Sequence, residues 1–466
     1  MPLNGEFTSI MYSKLIKNKS FLSFFSLQFL GALNDNLYKN ALVILIAFHS
    51  ITIFNMENQI LVTFSFALFI LPFFLFSALA GQVADKYPKS TLIRYIKFCE
   101  IIVMLCAVIG LYFEYYPFLL LVLFLMGMQS AFFGPIKYSI LPDLIKNILK
   151  TKQNSTFSSS NTRHKKLRQG LLVQANGLVG MGTFAAILLG TILGGILSSK
   201  QYLVNNILPV SLVFVSLSGW LLTFFMPYIQ AADSKVKIQW NLWRESMRVI
   251  SHARDNHSIF RVILLISWFW FIGASILSQL PNWTKSVLYG DEYVVTILLT
   301  CFSLGVGIGA VVCSKLHVFM SYSKISQKGS MGISLSLFLF VLSSTFYNSS
   351  FETQVAFSYW DRHLFLSYLS ILLLGFSGGL FIVPLYYFVQ EFSDSRFLSR
   401  IIAANNIFNA FFMVISSIIL SLLLLLGIQL PIIFILLSLF NLLVVYLIIK
   451  KDKNDLGKQQ HFFDLG

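Results

Sequence analysis

Apolar residues run through this chain in long blocks, separated by short polar or basic segments. Twelve of the blocks are long enough for a helix to cross a hydrocarbon core, which takes roughly 20 residues. Six fall near 20–48, 58–84, 90–112, 117–142, 169–198 and 203–230; six more fall near 258–285, 292–315, 329–348, 363–391, 398–426 and 430–449. The pattern predicts an all-α polytopic membrane protein with 12 transmembrane helices in two six-helix halves. Residues 1–230 form the first half, 231–257 a cytoplasmic linker, and 258–466 the second half with a cytoplasmic tail. Trp240 and Trp243 in the basic linker predict a helix lying in the interface, its aromatics at headgroup level.

Composition narrows the class. Hydrophobic residues make up 56% of the chain and charged ones 11%, with a mean hydropathy of +0.76, which excludes a soluble domain of this size. A formal net charge of +15 would suggest nucleic acid in a soluble protein. Here Lys and Arg gather on alternate loops: Lys86, Lys89 and Arg94, then the 146–168 cluster, the linker, Lys315 to Lys328, Arg396 and Arg400. The opposite loops hold only Lys200, Lys285 and Arg362, so both termini are expected in the cytoplasm and no nucleic acid is expected as partner. The first apolar run is too long for a cleavable signal peptide and is expected to stay as an anchor. Cys99, Cys106, Cys301 and Cys313 lie in or beside the spans without metal-ligand spacing, and no disulfide framework is expected.

The candidate chemistry starts in the first span, at FLGALNDNLYKNA from Phe29 to Ala41. Asn34, Asp35, Asn36 and Lys39 interrupt it at mid-depth, where an ionisable group costs roughly 2.5–3.5 kcal/mol on insertion scales. Asp35 and Lys39 are four apart, share a helical face and can partly neutralise each other. That face predicts a transport path through the bundle, or a buried ion pair that only locks helices together. In span 4, FFGPIKYSILP (Phe132 to Pro142) breaks the helix at Gly134-Pro135 and places Lys137 within the span, as a cation for a phosphate or as a lysine snorkelling to the interface. Span 10 ends in PLYYFVQE with Glu391 at its boundary, and span 7 offers Ser278 and Gln279 as cavity-lining groups. Glu100 is of less interest, because Arg94 and Lys97 lie on adjacent turns.

Internal similarity supports a duplication. Phe29 to Ala32 recurs as Phe271 to Ala274, Gly81 to Lys86 lines up with Gly309 to Ser314, and Gly127, Pro135 and Tyr138 match Gly375, Pro384 and Tyr387. Ala175-Asn176 matches Ala404-Asn405. Two such halves describe the major facilitator architecture, and GQVADKYPK resembles that superfamily's signature between spans 2 and 3, with Gly81, Asp85, Lys86 and Lys89 in place. Gly81 lets another helix approach, and Asp85 can pair with a basic residue or cap a helix across the half-interface, a latch that favours the outward-open state.

FLGALNDNLYKNAL, FFGPIKYSILP, ISWFWFIGASILSQLP and RIIAANNIFNAFFM (Arg400 to Met413) together resemble the bacterial lysophospholipid transporters of the major facilitator superfamily, a family also found fused to acyltransferase and acyl-carrier-protein synthetase modules. The resemblance implies flipping of lysophosphatidylethanolamine and related one-chain lipids from the outer to the inner leaflet of the bacterial cytoplasmic membrane, for reacylation by a partner enzyme. In that role Lys137 and Lys39 would meet the phosphate, Asp35 the amine or a coupling Na⁺ or H⁺, and the amides of Asn34 and Asn36 the glycerol. By the same resemblance Glu391 sits near an acid or amide position of span 10. A monomer without a cofactor is expected. Cys313 stands where the second copy of the latch would carry the acid of Asp85, so gating is expected to be asymmetric, and Ser139 stands where a smaller residue is expected. The polar segment 143–168 is expected to be a mobile cytoplasmic insertion. Two alternatives stand beside this reading: a facilitator for a sugar phosphate, amino acid or drug, and a non-transporting scaffold for a reacylating enzyme. No histidine is followed by Asp five residues on, and no phosphate-binding Gly-rich loop is present, so neither an acyltransferase nor an ATP-driven pump is expected.

Overall fold

In hydrocarbon every backbone donor and acceptor must be satisfied within its own segment, so apolar blocks of this length become helices. The structure, a computed structural model, describes residues 14–48, 58–150, 161–198, 206–290, 292–316, 320–351 and 362–454. The first seven helices are α1 (Lys19–Phe48), α2 (Asn58–Lys86), α3 (Lys89–Tyr112), α4 (Tyr116–Ser139), the short α5 (Leu141–Lys150), α6 (Asn161–Leu197) and α7 (Ile207–Leu222). They are followed by α8 (Leu242–Asp255), α9 (His257–Ser286), α10 (Glu292–Leu316), α11 (Tyr322–Phe351), α12 (Arg362–Phe392), α13 (Leu398–Leu425) and α14 (Leu430–Asn454). Ten of these are long and apolar enough to cross a membrane. Two more long helices, α1 and α3, pack in the same bundle; α1 carries Asp35 and Lys39, and α3 carries Lys97 and Glu100.

The packing of the first helices recurs in the last ones. In the first set α1 lies against α6 and α7, α2 against α4, and α3 against α4 and α7. In the second, α9 lies against α13 and α14, α10 against α12, and α11 against α12 and α14. Shifting the spans by six maps every pair of the first set onto one of the second. Glycines set the closest of these approaches. A Cβ on Gly127 of α4 would stand 2.4 Å from the Phe69 carbonyl of α2, and one on Gly375 of α12 would stand 2.1 Å from the Phe302 carbonyl of α10. The matched glycines therefore serve the same crossing in each set. Gly81 and Gly309, also aligned in sequence, do not: Gly81 faces Ala403 and Arg400 of α13 across the molecule, while Gly309 presses on Phe376 of α12 within its own set.

Segments outside the spans depart from the sequence-based expectation. The segment 143–168 is more structured than a polar insertion suggests. Leu141, Leu144, Ile145 and Ile148 of α5 are buried, and α6 is already helical at Asn161; residues 151–160 lie outside the described ones. The sixth span ends at Leu222 in a 3-10 turn over Thr223–Phe225 rather than running to 230. In the connection that follows, α8 starts on the Asn241 side chain, which accepts from the Arg244 N–H. It buries Val249 and Ala253 against α2 and α13 and leaves Trp240 and Trp243 exposed.

The glycine contacts are directly testable. Gly375→Ala forces α12 away from α10 and should lower the thermal midpoint of the detergent-solubilised protein, by a destabilisation of about 1–3 kcal/mol. Gly180→Ala meets nothing within 4 Å and should hold or raise it. Equal midpoints for the two variants would count against the close crossing.

Candidate functional site

The two sets of helices enclose a cavity of about 360 Å³ near the middle of the bundle. Every charged residue in its wall comes from the first set: Asp35 and Lys39 of α1, Lys97 of α3 and Lys137 of α4. The second set supplies Trp270, Tyr386, Asn406 and Asn409, which are aromatic or neutral. A third part of the wall is apolar, built from Phe66, Phe69, Ile70 and Phe73 of α2 and from Ala410 and Met413 of α13.

Each charge is anchored separately. Asp35 and Lys39 share a face of α1, but they do not pair. Asp35 accepts from Ser130 Oγ at 2.5 Å, and Lys39 Nζ donates to Asn36 Oδ1 at 2.8 Å while standing 5.4 and 5.7 Å from the ring centres of Phe69 and Phe66. Lys137 does not snorkel to the surface; it donates to Thr183 Oγ1 of α6 at 2.6 Å. Lys97 of the wall belongs to a fully buried pair, its Nζ standing 2.6 Å from Oε2 of Glu100 one layer behind, with both side chains 2% exposed. Glu100 also accepts from Asn34 Nδ2 at 3.1 Å and from Gln129 Nε2 at 3.3 Å. Ser130 Oγ, whose one proton goes to Asp35, also lies 3.2 Å from Gln129 Oε1, so Asp35, Ser130, Gln129, Glu100 and Lys97 form one contiguous polar cluster. Gly31 makes room for it, since a Cβ there would stand 2.2 Å from Lys97 Nζ.

The structure gathers only some of the residues singled out in the sequence. Asp35, Asn36, Lys39 and Lys137 line the cavity. Asn34 does not: it is fully buried on the Glu100 side of α1. Gln279 lies outside the cavity, where it accepts from Asn282. Glu391 lies at one end of the bundle and pairs with Arg168. Sequence reasoning passed over Lys97 and Glu100, although Lys97 is eight residues into α3, about 12 Å from its start, too deep for an ordinary boundary residue.

At that same end the two sets of helices are clasped together. The rings of Tyr138 and Tyr386 stack at 4.2 Å under the cavity. Beyond them Ser399 Oγ donates to Ser139 Oγ at 3.0 Å. Asp85, fully buried at the end of α2, accepts from Arg400 Nε at 2.8 Å and from the Ser399 N–H at 3.3 Å, at the first turn of α13. Lys89 serves a different contact, donating to the Ser139 carbonyl and to Asp143, and Lys86 stands over the Tyr87 ring. A second clasp joins α6 to α12. Asn176 and Gln390 exchange two amide hydrogen bonds, at 2.6 and 2.9 Å, beside the Arg168–Glu391 pair.

This architecture is that of the major facilitator superfamily. The structure overlays on the human organic anion transporter MFSD10 with a TM-score of 0.66 at 14% identity, covering 91% of this chain and 99% of that one. It overlays on a major facilitator superfamily transporter, FucP, solved in its outward conformation, with a TM-score of 0.63 at 14% identity over 92% and 98% of the two chains. No protein-family model matches the sequence. Within that fold, the chain is a distant homologue of the lysophospholipid transporters. It is 24% identical over 330 residues to LplT of Photorhabdus laumondii and 27% identical over 330 residues to LplT of Escherichia coli, in both cases across 69% of each chain.

The clasp at Asp85 generates a prediction. With the native cysteines replaced by serine, a cysteine introduced at the buried position of Ser139 should react slowly with a small thiol reagent. Adding Asp85→Asn should speed that labelling several-fold, because removing one partner of a buried ion pair leaves the other uncompensated. Unchanged labelling would show that Asp85 does not hold this end shut.

Proposed function

We propose that this protein carries a lysophospholipid across the membrane, from the outer to the inner leaflet, by alternating access of its two six-helix halves. The observation that carries the proposal is the division of labour in one cavity wall. Lysines suited to a phosphate and amides suited to a glycerol share the wall with a phenylalanine-rich face of α2, which adjoins them at Lys39. A one-chain phospholipid has those two chemistries in one molecule; a sugar phosphate has only the first. Phe66 of that face is 40% exposed, which supports a path for the acyl chain along α2.

In this reading Lys39 and Lys137 receive the phosphate. Asn36, joined by Asn406 and Asn409 of the second half, meets the glycerol hydroxyl. Asp35 meets a headgroup amine or a coupling cation. The distant likeness to lysophospholipid transporters supports the same cargo. With both termini in the cytoplasm, as the charges of the loops support, the end clasped by Asp85 and Arg400 faces inward.

Asp35→Asn should abolish uptake of labelled lysophosphatidylethanolamine into the inner leaflet of proteoliposomes while leaving folding and insertion intact. Normal uptake by that variant would remove Asp35 from the mechanism. Lys137→Ala should weaken binding of the lysophospholipid about tenfold and leave binding of an uncharged one-chain lipid of the same tail unchanged. An equal loss for both lipids would mean that Lys137 shapes the cavity rather than reading the phosphate.

A further inference from the structure

The charges of the cavity do not cancel. Three lysines, Lys39, Lys97 and Lys137, stand in the wall against one carboxylate, Asp35. Glu100 lies one layer behind and is held to Lys97 at 2.6 Å, so the Lys97 charge is locally masked. The wall that a ligand meets then carries one net positive charge. Trp270, Tyr386, Asn406 and Asn409 on the facing half add none. A zwitterionic headgroup brings a phosphate and an ammonium and leaves that excess uncompensated. A headgroup of net charge −1 neutralises it. In a partly desolvated site an uncompensated charge is expensive.

We infer that the excess of Lys39 and Lys137 over Asp35, held at one positive charge by the mutual masking of Lys97 and Glu100, sets the headgroup charge this cavity accepts, so that a one-chain lipid with a net anionic glycerol-phosphate headgroup is carried in preference to a zwitterionic one. Lys39 and Lys137 are the specificity-determining groups. Lys97 and Glu100 are positioning residues that mask each other, Glu100 seated by Asn34 and Gln129 on its two sides and the Lys97 ammonium given space by Gly31. This inference rests on the lysophospholipid reading above and adds the sign of the headgroup. Gln129 bonds Glu100 and the adjacent Ser130 bonds Asp35, so the two carboxylates are held at fixed positions around the lysines.

The test compares palmitoyl lysophosphatidylglycerol with palmitoyl lysophosphatidylethanolamine in proteoliposomes holding the full chain, and reads the ratio of the two uptake rates. The wild-type chain should favour the glycerol headgroup by about tenfold. Glu100→Gln unmasks Lys97 and should raise the ratio by about another tenfold. Lys97→Gln leaves Glu100 unbalanced and should bring the ratio close to one. The double variant Lys97→Gln with Glu100→Gln removes both charges and should return the wild-type ratio, even where its rates fall. Structural damage alone would lower both rates together and would not produce this order. A ratio indifferent to all three variants, or a wild-type preference for ethanolamine, overturns the inference while leaving lysophospholipid transport standing. Failure of the folded wild-type chain to move either lipid overturns transport of lysophospholipid itself.

Discussion

A charge inside an apolar bundle has to be given a partner, and this constraint organises the first half of the protein. Asp35, Lys39, Lys97, Glu100 and Lys137 come from three helices, and each is bound by a neighbour: Ser130, Asn36, the Lys97–Glu100 pair itself, or Thr183. An isolated buried ion would cost several kcal/mol even after relaxation, so these bonds also fix how α1, α3, α4 and α6 stand around the cavity. Gly31 belongs to the same device. The absence of one side chain on α1 makes the seat for an ammonium on α3.

The clasped end of the bundle follows from the same rule, but its two seams solve it differently. On the α2–α13 seam, Asp85 is fully buried and is satisfied by both a guanidinium and a helix N-terminus. On the α6–α12 seam the acid comes from Glu391 on α12, and its partner Arg168 is 33% exposed. An ion pair open to solvent holds less tightly than a buried one, and much of that seam's specificity rests on the neutral Asn176–Gln390 pair. At the position aligned with Asp85, α10 carries the buried thiol of Cys313, and the acid of this seam stands on α12.

Much of this was legible in the sequence. Span length and the matched Gly127 and Gly375 report backbone-level constraints, and those survive as local patterns. The cavity was legible only where a charge broke an otherwise apolar run, as at Asp35, Lys39 and Lys137. The Lys97–Glu100 pair was missed because an i,i+3 acid–base pair reads in sequence like a solvated face; only the packing of α1 and α7 over it reveals its burial. Asn34 was misplaced for a related reason. It neighbours Asp35 in sequence, yet one residue is a 100° turn around a helix, and that turn carries it to Glu100 and away from the cavity. Gln279 and Glu391 show a further limit: a polar residue's position along a span does not fix which way its side chain faces.

The placement of every cavity charge on one half bears on the proposed cycle. If ionic ligands stood on both halves, an anionic headgroup would bridge them, and each rocking motion would have to pull apart a desolvated ion contact. Here the headgroup's charged partners all move together with the first half. The facing surface of Trp270, Tyr386, Asn406 and Asn409 offers stacking and amide hydrogen bonds, each worth about 1 kcal/mol net and replaceable by water. The ligand can therefore ride with one half while the other slides past it. The larger cost of the transition then falls on opening the clasps at Asp85 and Glu391, outside the cavity, where it does not depend on which headgroup is bound. In the proposed cycle, selection of the cargo and control of the gate are thus separated in space, and different residues carry each.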